Sequence, residues 1–454
     1  MSDPLPEPLY VPALCLVVLV GIAGSGKSAF AARHFRPAQV VSSDACRAMV
    51  ADDERDQSAT QAAFEVAHLV IRHRLARGLL TVVDATNVEP AARRPLLELA
   101  AEYDVPAVAV VLDLPEQLCV RRAGERASRP VAAGVVRRQY AQLRAGVPTL
   151  AGDGFAAVHV LRSAAEVDAA TVATRRSAVD RRDEHGPFDV IGDVHGCREE
   201  LEELLDRLGY VLHRDEAGRP VGARHPAGRR VVFVGDLIDR GPDPAGVLRL
   251  AMGMAATGDA LAVAGNHEHK LVRALRGAGP GGRVKVGRNL ARTLELLVAE
   301  PEGFLAEAFA FCARLAGHLV LDGGALVVAH AGLKEAYHGR DSGRVLAFAL
   351  FGDTTGERDE YGLPVRLPWA EDYRGRAMVL YGHTPADEHE WVNNTLCLDT
   401  GCCFGGALTA VRYPERELVS VPARREYFPP VRPLRDPAWP RPQQEPSQRE
   451  PRAS

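Results

Sequence analysis

Two sets of residues in this 454-residue chain have the types and spacing to act on phosphate. The first is contiguous: "GIAGSGKS", Gly21 to Ser28, preceded by the apolar run "LCLVVLV" and followed by a helical pattern. Gly21, Gly24 and Gly26, with Ser25 between them, allow backbone N–H groups to converge on phosphate oxygens, and a helix N-terminus adds favourable partial charge. Lys27 would neutralise the outer phosphates, and Ser28 would offer its hydroxyl to Mg²⁺. The second set is dispersed but ordered: "GDVHG" supplies Asp193 and His195; "GDLIDRG" supplies Asp236, Asp239 and Arg240; "GNHE" supplies Asn266 and His267; "VAHAG" supplies His330; "YGHTP" supplies His383. Carboxylate, amide and imidazole donors without thiolates suit first-row divalent cations such as Mn²⁺, with Ni²⁺ or Fe²⁺ as alternatives. Two such ions roughly 3.5–4 Å apart can share a carboxylate and clamp phosphate oxygens.

A phosphate cradle needs an acceptor site if it is to transfer phosphate. In "VVSSDACR", Asp44 ends a strand where it can take a proton from an acceptor hydroxyl, and Arg47 can grip an acceptor phosphate with its planar fork. "TVVDATN" places Asp84 at another strand end, either as support for Mg²⁺ or, with Asn87, as a helix cap. In "LCVRRAGERASRP", Arg122, Arg126 and Arg129 recur at spacings of four and three. Like charges aligned in this way suit a lid over a polyphosphate such as ATP, or else form a solvated basic face.

These residues must be carried by two folded blocks, since 454 residues exceed what one core usually supports. From residue 14 to 162, short β-branched runs alternate with longer helical stretches, which predicts a parallel sheet flanked by helices. Residues 163–186 are polar and rich in small side chains and read as a linker. From 187 to 428 the strands are denser, as in a layered α/β fold with a mixed sheet. Residues 1–13 form an N-terminal extension, and 429–454, dense in proline, predict a disordered tail. A hydrophobic share of 46% with 25% charged residues is ordinary for a globular protein, and a net charge of −4 argues against nonspecific coating of nucleic acid. The eight cysteines form no C-x-x-C pair, and no apolar run approaches the roughly 20 residues of a membrane span. A cytoplasmic location is therefore expected.

The dispersed set resembles the binuclear phosphoesterases that include serine/threonine protein phosphatases and diadenosine tetraphosphatases. That resemblance implies that Asp193, His195 and Asp236 hold one metal, and that Asp236, Asn266, His330 and His383 hold the other. It further implies that His267 is the general acid oriented by Asp239, that Arg240 clamps phosphate, and that Asp399 in "NNTLCLDTGC" is a further site residue. Over nearly the whole chain, "SSDACRAMVADDERDQSATQAAFEVAH" and "FGDTTGERDEYGLPVRLPWAEDYRGRAMVLYGHTP" are similar to the bacterial polynucleotide kinase-phosphatases of RNA repair. The fold implied is a P-loop kinase domain with a parallel sheet, followed by a metallophosphoesterase αββα sandwich. The activity implied is phosphorylation of 5′-OH ends from ATP and Mg²⁺, with removal of 2′,3′-cyclic, 2′ or 3′ phosphates from the other RNA end, DNA ends being a further possibility. Asp44 would be the kinase general base, with Arg122, Arg126 and Arg129 on its lid. The ligase-like domain common in that family has no Lys-x-Asp-Gly counterpart here, so a separate ligase and an RNA 2′-O-methyltransferase are expected partners. Three alternatives stay open: a protein phosphatase regulated through its ATP site, a dinucleoside polyphosphate hydrolase with a kinase attached, and a nonenzymatic nucleic-acid binder.

Overall fold

The computed structural model describes residues 7–125, 130–277, 286–386 and 389–432. It divides into two compact units, one built on the chain up to Arg182 with Leu319–Leu321 and Lys334–Phe348, the other on the remainder from Asp183. The proline-rich stretch from 433 onward lies outside the described residues, as do Arg126 and Arg129.

The first unit is organised by "LVVLVG", β1 (Leu16–Gly21), which is buried at every residue because helices cover both faces of the sheet. In chain order follow α1 (Lys27–His34), β2 (Val40–Ser42), α2 (Ser43–Ala51), β3 (Thr81–Asp84), α3 (Pro90–Glu102), β4 (Ala107–Leu112), α4 (Glu116–Gly124) and β5 (Ala157–Leu161). The strands pair in the order β2-β3-β1-β4-β5, all parallel. Neighbouring crossovers diverge around β1, which opens a crevice at the carboxyl ends of the strands. Parts of the stretches read as extension and linker form regular structure in this unit. Leu9–Pro12 pairs in parallel with Val172–Arg175, and Ser163 caps a short helix, Ala164–Ala169, by accepting from the Glu166 N–H.

In the second unit, β6 (Phe188–Ile191), α5 (Arg198–Leu208), β7 (Arg230–Phe233), α6 (Pro244–Thr257), β8 (Ala260–Ala262), α7 (Asn266–Arg276) and α8 (Arg288–Val298) precede β9 (Leu326–Ala329) and β10 (Met378–Tyr381). Then come β11 (Trp391–Val392), β12 (Thr395–Cys397), β13 (Ala407–Tyr413) and β14 (Glu417–Pro422). One sheet runs β8-β7-β6-β13-β14, with the last two strands antiparallel. A second contains β9-β10-β12-β11. Ile191, Val231, Phe233 and the apolar faces of α5, α6 and α7 share one core. Helix on sheet and sheet beside sheet give the layered mixed α/β architecture expected from the density of strands. Asp189, fully buried on β6, is matched by Arg229, whose guanidinium also reaches Glu415 and the Phe188 and Tyr413 carbonyls. A buried charge is tolerable only when paired in this way.

Candidate active site

In the first unit the chain leaves β1 at Gly21 and re-enters helix at Lys27, so the intervening loop faces the crevice. Gly24 has φ +80°, and a Cβ there would run into the Cys119 carbonyl oxygen, so no other residue fits without displacing α4. Lys27 is buried, and its Nζ donates to the Gly21 and Ile22 carbonyls at 2.8 and 3.0 Å. The Ser25 hydroxyl is buried without a hydrogen-bond partner among the described residues, while Ser28 is exposed one residue beyond Lys27. An orphaned hydroxyl inside a loop of backbone N–H groups suits a bound phosphate, and Ser28 is placed to face its cation.

Asp44 falls in the first turn of α2, not at the end of β2, and its carboxylate accepts from Arg47 Nη1 at 2.7 Å. Arg47 is buried and also donates to the Glu54 carbonyl, so base candidate and phosphate grip are locked together. Ser42 caps this helix. Asp84 is buried at the end of β3, beside Ser42 of β2 in the register. Asn87 does not cap the next helix; at φ +50° its amide donates to the Leu19 carbonyl, and Arg93 holds the same turn through the Asn87 and Val88 carbonyls. Helix α4 ends at Gly124, leaving Arg122 exposed in its last turn.

In the second unit the predicted ligands leave the carboxyl ends of strands. Asp193 and His195 follow β6, Asp236 follows β7, Asn266 opens α7 after β8, His330 follows β9, His383 follows β10, and Asp399 follows β12. Parallel neighbours therefore deliver their loops to one edge. Asp236 is the hub. Its Oδ2 lies 3.4 Å from His330 Nε2, 3.5 Å from His195 Nε2 and 3.8 Å from His267 Nε2. His383 Nδ1 lies 2.9 Å from His330 Nε2, and the His383 N–H donates to Asp193. Two groups of three donors result, His195 with Asp236 and His267, and Asp236 with His330 and His383.

The donor set fits cations. His195 Nδ1–H donates to the Ile238 carbonyl and His330 Nδ1–H to the Val234 carbonyl, which leaves each Nε2 lone pair facing the Asp236 carboxylate. The Asn266 amide fills the remaining space, 2.9 and 3.0 Å from the Asp236 oxygens and 3.2 Å from His330 Nε2. With its NH₂ inward it donates to both Asp236 oxygens and to His330 Nε2; turned the other way, its oxygen would join the carboxylate and imidazole donors on a cation. Gly382 belongs to the same packing, because a Cβ there would strike Asp193 Oδ1. His195, Asp236, Asp239, Arg240 and His383 all have positive φ, a conformation costing about 1 kcal/mol or more per non-glycine residue.

Electrostatics follow from burial. Burial opposes ionisation of Asp236, but interaction with the surrounding His330, His267, His195 and Arg240 outweighs it and holds the carboxyl well below its usual range. Burial beside Asp399 and Asp236 pushes Asp193 well above that range, and burial raises Asp399 to about 6. His195 and His383 are driven down, by burial and then by Arg240 in one case and His330 in the other. Neutral imidazoles are the form that coordinates metal.

Around this centre, Arg240 Nη1 sits 2.6 Å from His195 Nε2 with its guanidinium over Phe404, and Asp239 holds His267 Nδ1. Thr293 on α8 donates to the other Asp239 oxygen. Thr293 was not legible in the sequence, nor was Arg366, whose Nη2 lies 2.7 Å from His383 Nε2. Glu268 was missed although its signal was present. It stands at the third position of a helix opening on Gly265, a capping arrangement. Its carboxylate accepts the N–H groups of Gly265, Asp236, Leu237 and Ile238.

Fold and donor set together define a metallophosphoesterase preceded by a phosphate-binding-loop domain. Family comparison agrees: an AAA domain model matches residues 16–150, and the calcineurin-like phosphoesterase model matches residues 186–387. The chain is 42% identical over 250 residues to the asymmetrical bis(5′-nucleosyl)-tetraphosphatase PrpE of Anoxybacillus flavithermus, covering 53% of this chain and 96% of that protein. With the Bacillus subtilis protein of the same name the identity is 43% over 244 residues, with the same shares. The chain belongs to the calcineurin-like phosphoesterase family, whose members use two divalent ions, and the similarity to these relatives lies in the phosphoesterase part. A solved structure of a putative diadenosine tetraphosphatase is 24% identical with TM-score 0.39, covering 54% of this chain and 97% of that one. A serine/threonine phosphatase from Saccharomyces cerevisiae is 14% identical with TM-score 0.36, covering 54% and 82%. Among the described residues, no helix is long and apolar enough to cross a membrane.

Proposed function

We propose that this protein heals broken RNA ends, phosphorylating a 5′-OH with ATP and Mg²⁺ in the first unit and removing a 2′,3′-cyclic, 2′ or 3′ phosphate in the second. The observation that carries the reading is that one chain holds both a complete phosphate cradle with an adjacent Asp44–Arg47 pair and a complete phosphoesterase donor set. Two opposed activities are useful together only on different ends of a substrate, and strand cleavage through the 2′-OH generates such ends.

In the kinase reaction Lys27 and the loop N–H groups bind the polyphosphate, Asp44 accepts the proton of the attacking hydroxyl, and Arg47 orients both Asp44 and the acceptor. Arg122 would serve as a lid residue, and Arg126 and Arg129 are proposed to share its role toward ATP. In the phosphatase, Asp193, His195, Asp236, Asn266, His330 and His383 would hold two ions, with Mn²⁺ the favoured metal and Asp399 supporting Asp193. Bound there, the ions would supply Lewis-acid polarisation of the phosphate oxygens. Arg240 leaves His195 to bind a phosphate oxygen. His267, held by Asp239, delivers a proton to the leaving oxygen. Sealing falls to a separate ligase, and an RNA 2′-O-methyltransferase is a further proposed partner.

A second reading has specific support. The curated relatives are named as bis(5′-nucleosyl)-tetraphosphatases and match the phosphoesterase part at about 40% identity. One experiment separates the two. The protein is given γ-labelled ATP with RNA bearing a 5′-OH, RNA ending in 2′,3′-cyclic phosphate, or diadenosine tetraphosphate. Label transfer and phosphate release from the two RNAs, with slower cleavage of the dinucleotide, support end healing. Efficient dinucleotide cleavage with inert RNA ends overturns it.

A further inference from the structure

Beneath the ligand loops, three buried side chains that take no part in this chemistry converge. Cys197 immediately precedes α5, Glu200 lies in its first turn, and Cys402 lies in the loop following Asp399. Their donor atoms, two Sγ and one carboxylate oxygen, all lie within 4.8 Å of one another, and each residue is at most 1% exposed. Neither cysteine is in a disulfide, and the Cys197 thiol donates to the His195 carbonyl at 3.7 Å.

Glu200 adds an independent observation. Its Oε1 accepts from the Arg424 N–H at 3.0 Å and from the Tyr427 hydroxyl at 2.6 Å, but its Oε2 is buried without a hydrogen-bond partner among the described residues. A buried carboxylate oxygen left unpaired is strongly disfavoured. The unpaired oxygen and two sulfurs ask for a cation.

We propose that Cys197, Glu200 and Cys402 bind one Zn²⁺ as a structural site separate from the catalytic pair. Thiolate donors select Zn²⁺ over Mg²⁺ or Mn²⁺. Bonds of about 2.3 Å to sulfur and 2.0–2.2 Å to oxygen place tetrahedral ligands roughly 3.5–3.8 Å apart, so the three atoms need close by only about 1 Å. Binding releases the two thiol protons, and two thiolates, one carboxylate and one dication leave a single negative charge. The fourth tetrahedral position would be taken by a ligand from outside these three residues. The ion ties together the segment carrying Asp193 and His195, the start of α5 and the loop after Asp399. Cys197, Glu200 and Cys402 are thus positioning residues for the active-site loops.

The probe is Co²⁺ added to chelator-stripped full-length protein, because thiolate ligation gives a near-ultraviolet charge-transfer band that oxygen and nitrogen ligands do not. One equivalent of that band is expected. It should disappear in Cys197→Ser and Cys402→Ser, weaken in Glu200→Gln, and persist in Asp236→Asn. Cobalt that binds without the band overturns the proposal. Should the cysteine variants not fold, wild-type protein purified without chelator decides. Zinc retained after Mn²⁺ exchange of the catalytic pair, with Cys197 and Cys402 shielded from alkylation under mild denaturant, supports the site. Absence of zinc, equal labelling with and without added Zn²⁺, or a Cys197–Cys402 disulfide on mass mapping refutes it.

Discussion

His267 Nδ1 lies 2.5 Å from Asp239 Oδ2, and both side chains are buried. The contact fixes the ring so that its other nitrogen faces the metal cluster, 3.8 Å from Asp236 Oδ2. Replacing His267 by Asn should lower phosphatase kcat by about 10²–10⁴-fold with little change in substrate KM. Asp239→Asn, which keeps the shape but not the charge, should cost about 10–100-fold. Phosphatase kinetics on a substrate with a poor leaving group read both. Equal activity of His267→Asn and wild type would falsify the proton-donor role.

The two proposed chemistries would rest on separate residues, so single changes should divide them. Asp44→Ala or Lys27→Ala should abolish label transfer from ATP and leave phosphate release within about twofold. His195→Ala or Asp236→Ala should do the reverse. Loss of both activities from any one of these folded variants contradicts independent sites.

Glu268 collects four backbone N–H groups from the turn that carries Asp236 and from Gly265. Glu268→Gln turns an NH₂ group toward donors and should destabilise the phosphoesterase unit by about 2 kcal/mol. Metal affinity should fall with it. Urea unfolding in saturating Mn²⁺ measures the first effect, and a midpoint equal to wild type would show that the turn holds without this carboxylate.

The metal-free centre should take up protons as the pH falls. Asp193 is held above its usual range by burial and by the charges of Asp399 and Asp236, and Asp399 sits at about 6. Cations bind the deprotonated carboxylates, so each must displace protons, and apparent Mn²⁺ affinity should weaken as pH drops through this region. Titration calorimetry in buffers of different ionisation enthalpy counts the protons released. Affinity that is flat between pH 5 and about 7.5 would show that these carboxyls are already ionised.

What the sequence disclosed was largely what lies within five or six residues. Gly21 to Ser28, Asp193 with His195, and Asp236 with Asp239 are each carried by one short turn at a strand end, so spacing alone set their geometry. Thr293 and Arg366 reach the centre from segments whose arrival depends on the packing of α8 and of the hairpin Thr354–Arg366, and no spacing rule anticipates that. The turn at Asn87 was read as a possible cap because its side chain favours such positions, whereas tertiary packing aims it at the Leu19 carbonyl. Residues 163–186 read as linker because they are polar and small, yet within them Val172–Arg175 pairs in parallel with Leu9–Pro12 through backbone groups that composition does not report. Asp44 moved from strand end to helix start, a shift of one residue past Ser43 that kept it at the same crevice.

The left-handed winding at His195, Asp236, Asp239, Arg240 and His383 makes the enzyme's history matter. Ions bound there would offset the unfavourable dihedrals, each costing about 1 kcal/mol or more, and their removal would favour unwinding of those turns. Reloading is then expected to require rewinding as well as capture. Activity recovered after chelation should lag behind metal uptake, and the lag should lengthen with time spent empty.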